Sequence, residues 1–434
     1  MKKAISKTIA AMIIAVIIVA IIAVSMAIYL SIPPGASPTS PTTPIISEVK
    51  IGVLEPLTGA YAAFGMDAVE GARLAIDIIN NELGGVKSLG GAKLKLYVED
   101  VGESPDSAAL AAERLISTYR PHAILGAYIS RLTAAVAEVT DKEKIPLFMD
   151  ALVDWLTERG WNYVFRVCPK ASIYGRTAAE FVVDIFRKTN ISLKTVVILH
   201  ENSIYGTYVA NGIRIGLAAA GIIPNETISY SYRITDFSPI ISKLAELNPD
   251  VVFSVPYYAD ALLFARALKA SGLYVKFVAG AGGTGYTDPT SISEAGEAVE
   301  YFTNTHSYNH AKKTQWNMRI VQKYLERFGK VPSEAAGIAI YTIFFIYEAL
   351  EVAGKMFPED PLNPDNLRSV FLSIDLNETN SIAAQLYPTG RIKLAPNGDN
   401  LYGATVIVQV INGVPRVVWP EPEEGVTLIF PRPS

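Results

Sequence analysis

From Val49 onward, apolar and polar positions alternate between two periods. "VKIGVL" is a short apolar run of the kind that forms a buried strand, and Val69, Ala72, Ile76 and Ile79 then recur at helical spacing. "KLKLYVE" sets Leu94, Leu96 and Val98 between polar neighbours, "PDSAALAAERLIS" reads as a helix, and "HAILG" and "IPLFM" are strands separated by a helix after Ser130. A second unit opens at "KTVVILH" (194–200) and continues through "DVVFSV" and "YVKFVAG". Helices are predicted from about Gly206, Pro239 and Ala259, with Ser238-Pro239 as an N-cap and first-turn pair. Strands alternating with helices in this way predict an α/β fold of parallel sheets covered by helices.

The pattern changes after about Phe302. "TQWNMRIVQKYLERF" and "SEAAGIAIYTIFFIYEALEVAG" are long helical stretches, and "RIKLA", "ATVIVQV" and "VPRVVWP" are strand-like. No third α/β domain can be assembled from them, so they are expected to complete the first two lobes, with the chain crossing between lobes more than once. At the other end, Lys2, Lys3 and Lys7 precede an uncharged, almost wholly apolar run from Thr8 to Leu30. At about 1.5 Å per residue such a run can span a bilayer of about 30 Å. Residues 1–30 are therefore read as an anchor with its lysines cytoplasmic, in preference to a cleaved signal. The Pro/Ser/Thr-rich stretch at 31–46 is read as a stalk. Everything after it is expected outside the cytoplasm, tethered to the membrane, or secreted if the segment is cleaved.

Composition narrows the function. Half of the 434 residues are hydrophobic and 18% are charged, enough to bury a large core. A net charge of −4 argues against a nucleic-acid partner. The single cysteine, Cys168, rules out an internal disulfide framework and a cysteine-rich metal site, and reads as a small core residue.

The chemical motifs are sparse. Gly280, Gly282 and Gly285 in "GAGGTG" have the dinucleotide spacing, but the loop comes late and Pro289 interrupts any helix at the expected place. The loop is read instead as letting backbone approach a bound molecule or turn closely at the end of a strand. His306 and His310 are expected to share a helix face without a third metal ligand. No nucleophile elbow or phosphate loop is present, so binding without chemistry, and without a cofactor, is expected. Phe64-Gly65 and Tyr205-Gly206 each follow a strand and loop and lead into a helix, which sets an aromatic ring at the carboxyl end of each sheet, where open α/β sheets bind ligands.

"VKIGVLEPLTGAYAAFGMDAVEGARLAIDIIN", "VEDVGESPDSAALAAERLI", "ILGAYISRLTAAVAEV", "HENSIYGTYVANGIRIGLAAAG" and "TDFSPIISKLAELNPDVVFSV" together resemble the type I solute-binding proteins for branched-chain amino acids and amides, which serve ATP-driven importers. The resemblance runs from about residue 49 to 420. It implies two Rossmann-like lobes with parallel sheets joined by three crossover strands, near residues 167, 303 and 390, and a solute held between the lobes. The first lobe would then comprise 47–167 and 304–390, and the second 168–303 and 391–434.

The resemblance also implies a site. Ser130 matches the serine that holds a ligand carboxylate, in keeping with its place at the start of a helix where N–H groups are unpaired; a plain N-cap is the alternative. Phe64 and Tyr205 match aromatic walls of the cleft, and Tyr257 matches a second-lobe tyrosine. Two positions depart from the pattern. In "MDALVDWLT", Asp150 and Leu152 stand where small or hydroxylated residues are usual, and Ala281 aligns with the acidic residue that pairs with a ligand ammonium. Either Asp150 supplies that charge from the other lobe, or the solute is not an α-amino acid. Glu55, at the end of the first strand, and Arg131, beside Ser130, are further candidates. The expected function is capture of an amino acid, amide or small carboxylate for the permease subunits of an importer; the alternative is a ligand-sensing ectodomain with a separate signalling partner.

Overall fold

The computed structural model describes residues 46–433 except Thr284, together with eight helical, exposed positions between Met12 and Met26. The anchor and stalk readings for 1–46 fall almost entirely outside the described residues. Residues 45–434 form one compact unit.

The unit begins with β1 (Glu48–Glu55), whose nearly continuous burial is that of a strand covered on both faces. Then come α1 (Ala62–Asn81), β2 (Lys93–Asp100), α2 (Pro105–Tyr119), β3 (Ala123–Gly126), α3 (Ser130–Lys142), β4 (Leu147–Phe148) and β5 (Val164–Phe165). Val69, Ala72, Ile76 and Ile79 all lie on the buried side of α1. These strands form an all-parallel sheet in the order β2-β1-β3-β4-β5.

The second lobe is built from α4 (Ala171–Lys188), β6 (Val196–Glu201), α5 (Ile204–Ala219), β7 (Glu226–Tyr230), α6 (Ser238–Leu247), β8 (Val251–Val255), α7 (Tyr258–Ser271), β9 (Phe277–Gly280), α8 (Pro289–Ala295) and β10 (Thr303–His306). Ser238 is the first residue of α6 rather than its cap, which is Phe237. The chain goes on through α9 (Gln315–Phe328), α10 (Glu334–Met356), α11 (Pro364–Ser373), β11 (Leu376–Asn377), α12 (Ile382–Leu386), β12 (Arg391–Ile392), β13 (Val406–Ile411) and β14 (Val414–Trp419). The second sheet has the order β14-β13-β10-β9-β8-β6-β7. It is parallel from β7 to β10, and β13 and β14 add an antiparallel hairpin at its edge.

The long apolar α10 is a core helix. Its length and composition would suit a membrane span, but most of it is buried, and it packs along α1 of the first lobe. Between the two sheets, the chain segments are cross-tied. Arg166, fully buried, donates to Asp399 at 2.8 Å and to the carbonyls of Ala151 and Val153, and Thr157 donates to the second Asp399 oxygen at 2.6 Å. Asn400 donates to the Val167 carbonyl at 2.9 Å. Farther along, buried Glu334 accepts from the Tyr174 hydroxyl and the Ser307 N–H.

Candidate functional site

The carboxyl ends of the two sheets meet. On the first lobe, β1 ends at Glu55, and Phe64 stands in the first turn of α1. Gly65 beside it is required by close approach, since a Cβ there would sit 2.1 Å from the Pro56 carbonyl oxygen and 3.2 Å from the Glu55 Cβ. After β3 the chain turns through Tyr128, a non-glycine residue in the left-handed region at φ 52°. The Tyr128 N–H donates to Asp150 Oδ1 at 2.6 Å, which holds the turn to the segment after β4. Ile129 caps α3, and Ser130 is its first residue, so the plain N-cap reading of Ser130 does not hold.

The second lobe repeats the device. β6 ends at Glu201, and Tyr205-Gly206 opens α5; a Cβ on Gly206 would meet the Glu201 carbonyl oxygen at 2.1 Å and its carboxylate at 2.6 Å. β8 leads through Pro256 to Tyr257, which caps α7, and β9 leads into Ala281, Gly282 and Gly283. Gly282 has φ 70°, and a side chain there would strike the Tyr205 hydroxyl. Its N–H donates to Thr305 Oγ1 at 2.8 Å, and Asn304 donates to the Gly283 carbonyl. The glycine loop therefore runs against Tyr205 and Pro256 as a wall, and the next helix begins only at Pro289, which opens α8. The helix that follows the loop starts four residues after Gly285, so it does not open directly from the glycines as a dinucleotide fold requires.

Aromatic rings from both lobes close over this junction. Phe64 stacks on Tyr128 with centroids 4.8 Å apart and meets Tyr258 edge-on at 5.4 Å. Tyr61 meets Tyr257 at 5.2 Å, and Tyr205 lies 4.7 Å from Tyr257. At the rim, the Arg131 guanidinium lies over Tyr61 of the first lobe and Tyr232 of the second, at 5.8 and 5.3 Å, and donates to the Glu103 carbonyl. It is a clamp between lobes rather than a free surface charge.

The electrostatics centre on carboxyls. Glu55 is fully buried, and burial followed by the neighbouring Asp150 pushes it well above the ordinary carboxylate range. Burial also raises Asp150, although the Tyr128 N–H favours its charged form. The two carboxyls share a hydrogen bond, which raises Glu55 further and lowers Asp150, and no N–H donor reaches either Glu55 oxygen. Glu201 is likewise raised by burial, but it accepts from Ser203 N, Ser203 Oγ and Gly206 N at 2.6, 2.5 and 2.7 Å, and Arg131 favours its charge.

Of the residues singled out from sequence, Phe64, Tyr205, Tyr257 and the Ala281 loop come together at this junction, with Asp150, Glu55 and Ser130 behind the first-lobe face. Leu152 is buried, and its carbonyl accepts from Ala171 N at 2.6 Å, at the start of α4. Cys168 is buried, and burial holds its thiol far above the usual range. The two histidines do not share a helix. His306 ends β10 and pairs with the Thr287 hydroxyl at 2.6 Å, and His310 lies in the turn before α9. Sequence reasoning missed Tyr61, Tyr128, Tyr258 and Glu201. A signal existed for Glu201, since "VLEPLTGAYAAFG" and "LHENSIYG" each carry a glutamate at the strand end before an aromatic-glycine pair.

A family model described as "Periplasmic binding protein" matches residues 48–398. "Leu/Ile/Val-binding protein homolog 8" of Brucella abortus is 27% identical over 390 residues, covering 87% of this chain and 92% of that protein. The solved leucine-binding protein LivK of Thermotoga maritima superimposes with a TM-score of 0.71 at 25% identity, over 85% of this chain and 97% of its own. At lower identity the fold is shared with LivJ of Streptococcus pneumoniae in complex with isoleucine (TM-score 0.71, 21%, covering 88% of this chain and all of that one). It is shared equally with a solute-binding protein of R. palustris in complex with benzoate (0.71, 19%, 85% and 95%).

Proposed function

Since the chain belongs to the periplasmic binding protein family, we propose that it captures a small polar organic solute between its lobes and presents it to the permease subunits of an ABC importer. The observation that carries this reading is the junction itself: rings from both lobes meet at the carboxyl ends of the two sheets, beside the buried carboxyls of Glu55 and Asp150. Phe64, Tyr205 and Tyr257 would wall the solute. Ser130, at the N-terminus of α3, would hold a carboxylate if the solute has one. Asp150 would meet its positive end, while Leu152 and the Ala281 loop would shape the cleft. Separation and closure of the lobes would couple capture to recognition by the permease. The chain would carry out no chemistry of its own, and the apolar segment within residues 1–30 would tether it on the outer side of the membrane.

Thermal unfolding of the full chain in detergent micelles tests this, with amino acids, amides and carboxylates added in turn. A ligand at about 100 times its dissociation constant adds about 2.7 kcal/mol of stability. A chain that none of these compounds stabilises is not a receptor for such solutes.

A further inference from the structure

A cavity of about 940 Å³ opens at the other end of the second sheet from the junction. The parallel strands β9 and β10 carry their carboxyl ends to the junction, so the segments that lead into them, at 272–274 and 296–301, lie at the opposite edge. These segments frame the cavity together with the end of α7, the turn between β13 and β14, and Arg432. Leu268, Leu273 and Ile292 give it an apolar wall.

Arg432 is the charge that this cavity leaves without a counterpart. Its backbone is fixed, since its N–H donates to the Lys276 carbonyl at 3.0 Å and its carbonyl accepts from the Tyr274 hydroxyl at 2.8 Å. The guanidinium lies over the rings of Tyr274 and Phe302, 5.6 and 5.8 Å from their centroids, and Nη2 donates to the Leu273 carbonyl at 3.3 Å. Nε is buried and has no hydrogen-bond partner. Burial works against the charge, and Tyr274 rather than a carboxylate is the group that offsets it. The other charges of the lining are already engaged. Lys269 meets Glu297 at 2.6 Å, and Glu300 accepts from the N–H groups of Asn412 and Gly413 at 2.6 and 3.0 Å. The fully buried Arg166, by contrast, has Asp399 at 2.7 Å. A half-buried guanidinium without an acid is costly, and its planar fork matches the two oxygens of a carboxylate.

We propose that this cavity is a second ligand site, separate from the interlobe junction, which takes a small organic monocarboxylate. The carboxylate pairs with Arg432, and the aliphatic or aromatic body lies along Leu268, Leu273 and Ile292. The volume is within the range of sites that enclose small molecules, and such sites combine apolar walls with a few polar anchors. Glu297 and Glu300 at the edge repel compounds with several negative charges. Inorganic phosphate would meet the guanidinium but leave the apolar wall uncovered. The site does not depend on what the junction binds.

Amide hydrogen exchange of the full chain in detergent micelles, read by mass spectrometry, tests this with benzoate and pentanoate, their neutral counterparts benzamide and pentanamide, and inorganic phosphate. The two acids should slow exchange at 268–274 and 296–301, and Arg432→Gln should raise the concentration needed at least about tenfold. Melting curves show whether the variant is folded, and the comparison of each acid with its amide on the wild-type chain needs no variant. Slowing confined to the junction segments around Phe64, Ser130, Tyr205 and Tyr257, or none anywhere, overturns the proposal. So does slowing at 268–274 and 296–301 that a folded Arg432→Gln chain retains, or that the neutral amides produce as readily as the acids. Phosphate acting as strongly as the acids overturns the assignment to organic carboxylates.

Discussion

Glu55 and Glu201 occupy the same place in the two lobes, each the last residue of its lobe's first strand, under the glycine that follows an aromatic ring. Their surroundings are opposite. Glu201 is tied into its own lobe by the N–H groups and hydroxyl at the start of α5, so its oxygens do structural work as N-terminal acceptors. Glu55 has no such donors and faces a second acid. The same residue type at equivalent positions thus stabilises one lobe and strains the other, and strained polar groups of that kind concentrate where proteins bind.

What the two positions share is the glycine, and changing it should have the largest effect. A Cβ on Gly65 would lie 2.1 Å from the Pro56 carbonyl oxygen, and one on Gly206 would lie 2.1 Å from that of Glu201. Backbone atoms cannot yield as a side-chain tip can. Gly65→Ala and Gly206→Ala should each destabilise the fold by about 3 kcal/mol in chemical denaturation. A much smaller loss in either would show that its strand-to-helix turn is not close-packed as described.

The glutamates themselves should then diverge. Glu201→Gln sets an amide N–H₂ against one of its two backbone donors, whichever way the amide is turned, and should lose about 2 kcal/mol. Glu55→Gln removes an acid whose charge burial disfavours, and the amide keeps a donor toward Asp150; the unliganded protein should gain about 1 kcal/mol. Thermal unfolding of the two variants side by side reads the contrast as opposite shifts. Shifts of the same sign would mean that Glu55 is a structural residue like its counterpart.

The contrast also explains what the sequence revealed. Strand and helix periods identified both lobes, because buried parallel strands and amphipathic helices leave strong patterns, as in β1 and α1. The repeated aromatic-glycine pair brought out Phe64 and Tyr205, and the resemblance added Tyr257. Tyr128 was not legible because its position depends on a left-handed turn held by a residue 22 places away, and no local pattern announces such a contact. The same holds for the Arg166–Asp399 tie, whose partners are separated by 233 residues. His306 was misread as helical because "THSYNH" lacks the alternation that identifies strands, although its backbone completes the pairing of β10 with β13. Glu55 was visible as a candidate, but only its burial beside Asp150 distinguishes it from a solvated glutamate.

The finest test of the contrast is how stability depends on pH. Both glutamates have folded-state values above the unfolded value near 4.5, Glu55 the more strongly, because the charge and hydrogen bond of Asp150 add to its burial where the donors around Glu201 offset it. Below about pH 4.5 each carboxyl is protonated whether or not the chain is folded, and wild type differs from Glu55→Gln by a constant amount. As pH rises, the unfolded chain ionises Glu55 while the folded one retains the proton. Wild type then loses about 1.4 kcal/mol per pH unit relative to the variant, until the folded value is passed and the difference levels off. The corresponding difference for Glu201→Gln should have the same sign over a narrower window, since three donors and Arg131 hold its folded value closer to normal. Denaturation curves between pH 4 and 8, without solute, measure both windows. Parallel wild-type and Glu55→Gln curves across that range would mean that Glu55 ionises in the fold as readily as in the unfolded chain, and the asymmetry between the lobes would then lie in hydrogen bonding alone.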